Sequence, residues 1–285
     1  MTTIGDYTLH AIETGRFGLD GGAMFGIVPK PLWAKRIDPD EQNRIPLAMR
    51  CLLLQSESRT ILIDCGLGDT FDGTKYREIY AVDTEHSDLE HSLANAGVSR
   101  EEITDVVLTH LHFDHCGGAT RAAGDEREPT FPNAVYHVQR DHWQWAIESN
   151  PKEHGSFRTD TFKPLSTSGQ VDFVDGEKTI FPGVDVMLVN GHTHAQQMVK
   201  ITGPEGVLVY VADLLPTSHH LAPAWTMAYD VRPLVTIDEK QLFLEKAVEA
   251  EWNLFFEHDP DIHVASLKRT DRGITTCDHR PLRNF

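Results

Sequence analysis

A chain of 285 residues with 40% hydrophobic and 24% charged side chains has the composition of an ordinary soluble globular protein, and it needs no disulfide or structural metal merely to fold. Its formal net charge of -17 speaks against a nucleic acid or an anionic membrane as partner. No stretch approaches the eighteen or so apolar residues of a membrane span, the N-terminus lacks a basic-then-apolar signal pattern, and a cytoplasmic location is the expectation. The four cysteines, Cys51, Cys65, Cys116 and Cys277, are scattered without C-x-x-C spacing, so neither a zinc ribbon nor a disulfide framework is expected.

In chain order, "YTLHAIETGRFGL" reads as an opening strand. A Gly- and Pro-rich stretch follows, and residues 18–46 read as a loop arm with exposed-looking Met24, Phe25 and Trp33, either a long packed loop or an arm that covers a pocket or a partner subunit. "MRCLLLQSESRTILIDCG" reads as a β-hairpin ending at Asp64. "DLEHSLANAGVSREEI" has helical spacing with Gly97 as a stop signal, and "TDVVLT" is a short buried strand. "AVYHVQ" predicts a strand and "RDHWQWAIES" a helix, before an uninformative middle from Pro151 to Ser168. "VDFVDGEKTIFPGVDVMLVNG" predicts strand, turn and strand, and "QMVKITGPEGVLVYVAD" a hairpin. A long helix capped by Thr236 or Asp238, a strand at "NLFFEH" and at least one more strand in the tail complete the series. Strands and helices alternate without strict βαβ order, which predicts a mixed α/β sandwich. No low-complexity linker interrupts residues 1–285, so a single domain is expected.

The densest chemistry lies in "LTHLHFDHCGG", where His110, His112, Asp114 and His115 fall within six positions. His110 and His112, two apart on an extended segment, point to one side and can pinch one ion. Asp114 and His115 can face a neighbouring ion about 3.5–4 Å away. Further candidates lie at the ends of apolar strands: His192 after "VMLVNG", Asp213 after "VLVYVA" and His258 after "NLFFE". A carboxylate such as Asp213 can bridge two ions, while His192 and His258 complete one each. His/Asp ligation suits two divalent ions, zinc foremost, with iron, manganese or cobalt also compatible.

"THLHFDH" is the H-x-H-x-D-H signature of the metallo-β-lactamase superfamily, and "GHTH", "VADLLP" and "FFEHD" resemble its remaining ligand motifs in order. The resemblance runs from the Leu52–Asp64 hairpin onward. It implies a four-layer αββα sandwich with the metals at one edge. It assigns His110, His112 and His192 to the first ion, Asp114, His115 and His258 to the second, and Asp213 to both. Asp64, at the end of "ILID", matches a position beneath the metals that orients a ligand His, and His194 is expected to support His192.

Two ions bridged by water or hydroxide would provide a nucleophile at neutral pH, with Asp114 protonating the leaving oxygen. His112 stands where redox members with a di-iron centre carry a carboxylate, so hydrolysis of an ester-like bond is implied. "GGAMFGIVPKPLWAKR", "IPLAMRCLLL" and "WTMAYDVRP" look most like the quorum-quenching lactonases, which open N-acyl-homoserine lactones. Met24, Phe25, Trp33, Trp225 and Met227 would suit an acyl-chain pocket. One departure stands out: some lactonases place a Tyr three residues after the bridging Asp, where this chain has Pro216, and Tyr229 is the candidate substitute. Organophosphate hydrolases of the methyl-parathion type share the metal site and form the main alternative, followed by a glyoxalase-II-like thioesterase. A zinc β-lactamase would carry Cys in place of Asp213, and a nuclease would want a basic surface. The resemblance and the apolar arm imply a homodimer.

Overall fold

The computed structural model describes residues 2–282 and divides into two compact units. One comprises residues 6–16 and 49–176; the other comprises residues 1–5, 17–48 and 177–285. In chain order the first elements are β1 (Thr2–Ile4), β2 (Tyr7–Asp20), α1 (Gly21–Phe25), α2 (Lys30–Trp33), β3 (Arg44–Gln55) and β4 (Thr60–Ile63). Next come α3 (Lys75–Ile79), α4 (Leu89–Asn95), β5 (Asp105–Val107), α5 (Phe113–Cys116), the ribbon β6 (Thr120–Ala123) and β7 (Glu126–Pro129), β8 (Val135–Gln139), α6 (Arg140–Ile147), α7 (Thr159–Thr167) and β9 (Val171–Val174). The remainder is β10 (Lys178–Phe181), β11 (Val184–Val189), β12 (Gln196–Gly203), β13 (Gly206–Tyr210), α8 (Pro233–Glu249), β14 (Asn253–Phe255), β15 (Val264–Thr270) and β16 (Gly273–Arg280).

Two large mixed sheets carry the fold. The first has the order β1-β2-β3-β4-β5-β8-β9, the second β10-β11-β12-β13-β14-β15-β16. In the first sheet β3 and β4 form the expected antiparallel hairpin, after which β4, β5, β8 and β9 run parallel. Parallel strands bury both faces and read as continuous apolar runs, as "TILI" and "DVV" do.

The core of residues 49–176 joins Leu53, Leu62, Val106 and Val138 of the sheet to Leu89 and Leu93 of α4, Trp143 of α6, and Phe162 and Leu165 of α7. Trp143 and Phe162 meet edge to face at 5.1 Å, an arrangement their ring quadrupoles favour. The other unit buries Val189, Met198, Val209 and Leu254 against Phe243, Leu244 and Ala247 of α8. Each sheet is thus flanked by helices.

Three expectations are corrected. The strand–turn–strand at 171–189 is three strands, and the break at Gly176 sends β9 to one sheet and β10–β11 to the other. The long helix starts at Pro233, not near Thr236 or Asp238, with Arg232 as N-cap; a Pro at the first helical position loses no hydrogen bond there. Met24, Phe25 and Trp33 are at most 1% exposed. Two short helices replace the loop arm, and Phe25 stacks on Trp33 at 5.5 Å. Trp33 lies over Gly21, where a Cβ would come within 2.4 Å of its ring, so only glycine admits that packing.

The turn after the ligand cluster is equally tight. A Cβ on Gly117 would lie 2.3 Å from the Leu67 carbonyl, and one on Gly118 2.3 Å from the Cys65 carbonyl. Gly118→Ala is therefore expected to destabilise by about 1–3 kcal/mol, the usual cost of overpacking, as measured by urea denaturation. No loss would show that the 65–68 backbone yields freely.

Candidate metal centre

The unit of residues 49–176 presents its ligand candidates just beyond β5. Asp64, with a positive φ of 57° and no exposed surface, follows β4 and organises the loop. One carboxylate oxygen accepts the Thr109 amide at 2.7 Å. The other accepts the Thr109 hydroxyl at 2.7 Å and lies 3.0 Å from His115 Nδ1. Leu111 N donates to His142 Nε2 at 2.8 Å, fixing the backbone between the first two histidines. His142 carried no functional signal in the sequence, because its role arises only when α6 packs under the loop.

Within this scaffold the imidazoles face one another. His110 Nε2 lies 3.1 Å from His112 Nδ1, and His115 Nε2 lies 3.9 Å from Asp114 Oδ2. Two donor atoms about 2.0–2.1 Å from one tetrahedral ion lie roughly 3.3 Å apart, so each pair fits a shared cation. On the opposite nitrogens, His110 Nδ1 has the Thr109 hydroxyl at 3.1 Å and His115 Nδ1 has Asp64, while His112 Nε2 lies at an ion-pair distance of 3.4 Å from Glu153 Oε1 without hydrogen-bond geometry. Glu153 is 2% exposed, and its other oxygen accepts Trp145 Nε1 at 2.8 Å. Such partners fix the tautomer and raise ligand basicity. Glu153 lies in the stretch whose sequence gave no reading, since it has no periodicity to interpret.

The other unit repeats the pattern around Asp213, which follows Ala212 at a positive φ of 44°. Asp213 Oδ2 lies 3.2 Å from His192 Nε2, and Asp213 Oδ1 lies 3.4 Å from His258 Nε2. One carboxylate therefore offers one oxygen to each of two imidazoles. His258 Nδ1 pairs with the Ala48 carbonyl at 2.8 Å. His192 Nδ1 pairs with Asp230 Oδ1 at 3.0 Å. His194 and Tyr229 are half-buried. All seven candidates are at most 7% exposed. Within each unit, buried imidazoles and carboxylates whose donor atoms face one another fit divalent cations far better than a dry interior.

The lid of this unit is held by α8. Glu239 accepts the Asn190 and Gly191 amides at 2.7 and 3.0 Å, which sets the exit of β11 toward His192. Burial raises the Glu239 pKa. Lys240, 1% exposed, donates to the Trp225 and Ala222 carbonyls at 2.8 and 3.2 Å and so ties down the loop that carries Asp230. Phe25 stacks on His220 at 4.7 Å and meets Trp225 edge-on at 5.5 Å. Met227 is also buried, while Trp225 is half-buried. His220 is pushed down to about 3 by burial and then by the Lys240 charge, so it is neutral near pH 7. Cys116 is fully buried with its thiol pushed up to about 12 by desolvation, which agrees with packing under the loop rather than chemistry.

An aromatic group not foreseen from sequence flanks Asp114. Phe113 meets Phe71 at 4.9 Å and stacks on Tyr80 at 5.3 Å, and Tyr76 stacks on Tyr80 at 6.1 Å. Burial raises the Tyr80 pKa first, and the Asp114 charge adds to it.

Two outcomes follow. Asp64→Asn and Asp230→Asn should each weaken metal affinity by about 10–100-fold, read by chelator competition, while the fold remains. Lys240 is pushed down to about 8 by burial. Between about pH 8 and 10.5 the unfolded chain therefore binds more protons than the native one, and stability should rise with pH in that window. The rise should vanish in Lys240→Met, measured as the difference between the two urea-denaturation pH profiles.

Residues 46–270 match the metallo-beta-lactamase superfamily. The N-acyl homoserine lactonase AiiB of Agrobacterium fabrum (strain C58) is 27% identical over 289 residues, covering 92% of this chain and 97% of that protein. An N-acyl homoserine lactonase of Bacillus cereus is 24% identical over 227 residues, covering 76% and 83%. Among solved structures, a probable metal-dependent hydrolase from Staphylococcus aureus superposes with a TM-score of 0.86 at 28% identity, covering 98% of this chain and 100% of that one. AidC, a dizinc quorum-quenching lactonase in complex with a product, superposes with a TM-score of 0.81 at 21% identity, covering 98% and 96%. Two mixed sheets flanked by helices, the ordered His/Asp motifs and the match over most of the chain have one conclusion: this protein is a hydrolase that belongs to the metallo-beta-lactamase superfamily.

Proposed function

We propose that the chain is a dinuclear-metal lactonase that opens the ring of N-acyl-homoserine lactones. The observation that carries the reading is the Asp213 carboxylate, with one oxygen toward His192 and the other toward His258. A single ion would use that carboxylate from one side only. The pairing of His110 with His112, and of Asp114 with His115, supplies two more half-sets. In this reading His110, His112 and His192 hold the first ion, Asp114, His115 and His258 the second, and Asp213 both.

Two such ions, when bound, supply an activated water and a Lewis acid for an ester carbonyl. The chain's own residues do the rest. Asp64, Asp230 and the Ala48 carbonyl hold the rings of His115, His192 and His258 in one tautomer and one orientation. Asp114 carries a proton to the oxygen that leaves when the ring opens. Tyr229 is the candidate donor to the lactone carbonyl, in place of the Tyr absent at Pro216. The aromatic group of Phe71, Tyr76, Tyr80 and Phe113 beside Asp114 supports a substrate with an apolar tail, because such a tail binds by burying its surface against rings. The two lactonases among the relatives support the substrate class. Zinc is the proposed metal, and the dizinc lactonase among the structural neighbours supports it.

The test is elemental analysis of the purified chain, with about two metal ions expected per chain, and a pH-stat panel of acyl-homoserine lactones of differing tail length. Asp213→Ala should abolish ring opening and lower the metal content. A fully metallated protein that opens none of these lactones but hydrolyses a paraoxon-like phosphotriester, or a glutathione thioester, would overturn the substrate while leaving the metal centre standing.

A further inference from the structure

A second cavity lies wholly within the unit that holds Asp213, and none of the seven proposed ligands lines it. Its volume is about 540 Å³, within the range that accommodates a small organic molecule. One wall is the outer surface of the β15–β16 hairpin with Ile274 and Arg272; the others come from Arg36, beyond α2, and from the loop at Leu221 and Trp225, with Ile262 completing the apolar lining.

The charge pattern sets this cavity apart. The arginine side chains of this protein are almost all engaged: Arg44 with Asp40, Arg50 with Glu13, Arg59 with Asp105, Arg77 with Asp72, Arg140 with Asp175, Arg269 with Glu245. Among the described residues, Arg36 and Arg272 have no ion pair and no side-chain hydrogen bond, and both line this one cavity. In a chain of net charge -17, where carboxylates outnumber cations, two exposed arginines without an ion pair border one partly apolar space, where their guanidinium groups can meet an anion. Each presents a planar fork of donors matched to a carboxylate.

The walls are also fixed before any ligand arrives. Trp225 is pinned by its own amide to the Ala222 carbonyl at 2.9 Å and by Lys240 on its carbonyl. The hairpin turn that carries Arg272 is closed by the Thr270 hydroxyl, which donates to the Gly273 carbonyl at 2.8 Å and accepts the Arg272 amide at 3.2 Å. Arg36 follows the buried Trp33, whose carbonyl accepts its amide at 2.8 Å. His219 also lines the cavity and is held below its ordinary pKa by burial, so the two arginines carry the positive charge at neutral pH. The acidic groups nearest to His219 are Asp259 and Asp261. Asp259 is already saturated by the amides of Ser218, Asp261 and Ile262.

We propose that this cavity is a binding site for an amphipathic carboxylate, its head on Arg36 and Arg272 and its apolar body against Trp225, Leu221, Ile262 and Ile274. The proposal does not rest on the lactonase reading: it uses none of the seven metal-ligand candidates, and of the residues expected in an acyl-chain pocket it shares only Trp225.

The full-length chain is titrated with sodium octanoate and, separately, with 1-octanol, followed by calorimetry and by tryptophan fluorescence. Octanoate should bind saturably, at least tenfold tighter than octanol, and more weakly as salt is raised. Arg36→Gln/Arg272→Gln should weaken octanoate at least tenfold, whereas Asp213→Ala should leave its affinity unchanged. Should the double variant fail to fold, Ile274→Asp, which sets a negative charge in the half-buried lining, should give the same loss. The proposal is overturned if octanoate does not bind, binds no better than octanol, or binds the arginine variant as tightly as the parent. It is equally overturned if the double substitution changes the sedimentation mass and octanoate has no effect, because the arginines then serve contact between copies of the chain.

Discussion

An imidazole has two ring nitrogens, and a histidine can be a dependable ligand only if one of them is spoken for. That constraint organises much of this molecule. Asp64 holds His115, Asp230 holds His192, Glu153 faces His112, Thr109 backs His110, and the Ala48 carbonyl receives His258. Each partner is itself buried or belongs to a strand or loop that the fold has fixed. The elements behind the site are therefore a relay: α6 and α7 pack the first sheet, and α8 packs the second. Their side chains Trp143, Phe162 and Phe243 stabilise the rings indirectly by fixing the backbone that bears them. A carboxylate such as Asp213, able to reach two rings at once, is useful only within such a frame.

The His/Asp run stood out in the sequence because its chemistry is contiguous, four donor side chains in six residues, and the residues proposed as its companions fall at strand ends, which a sequence marks by apolar runs. The helix at 233–249 was legible in type but not in start. The Arg232–Pro233 pair was itself the start signal, and it competed with the more familiar Thr and Asp caps. Glu153, Asp230 and His142 were not legible. Their roles exist only through tertiary approach, and residues that meet across a turn leave no period in the sequence. The aromatic group around Phe113 was hidden for the same reason, because Phe71, Tyr76 and Tyr80 come from a polar-looking segment whose short helix has no buried residue of its own. The arm misled for a different reason. Its glycines and prolines suggested exposure, whereas Gly21 serves as the gap into which Trp33 fits.

Stability and chemistry draw on the same groups in opposite ways. Half-buried Glu239 at the β11 exit and buried Lys240 beneath the Trp225 loop both have their charge opposed by burial. Their hydrogen bonds to backbone offset part of that cost and fix the loop geometry in return, which is where a hydrolase can least tolerate slack. A more apolar pair would give a more stable helix and a looser ligand.

The close approach of Gly117 and Gly118 to the carbonyls of Leu67 and Cys65 has a consequence for how such an enzyme can diverge. The turn behind the His110–His115 run has no volume left for a side chain at Gly117 or Gly118, so substitution there cannot reshape the loop without moving its backbone. Change is left to segments where an added side chain meets open space, such as those around Gly73, Gly124 and Gly155. In such a design one invariant reaction centre can serve many substrates, with novelty confined to the periphery by steric exclusion at the heart.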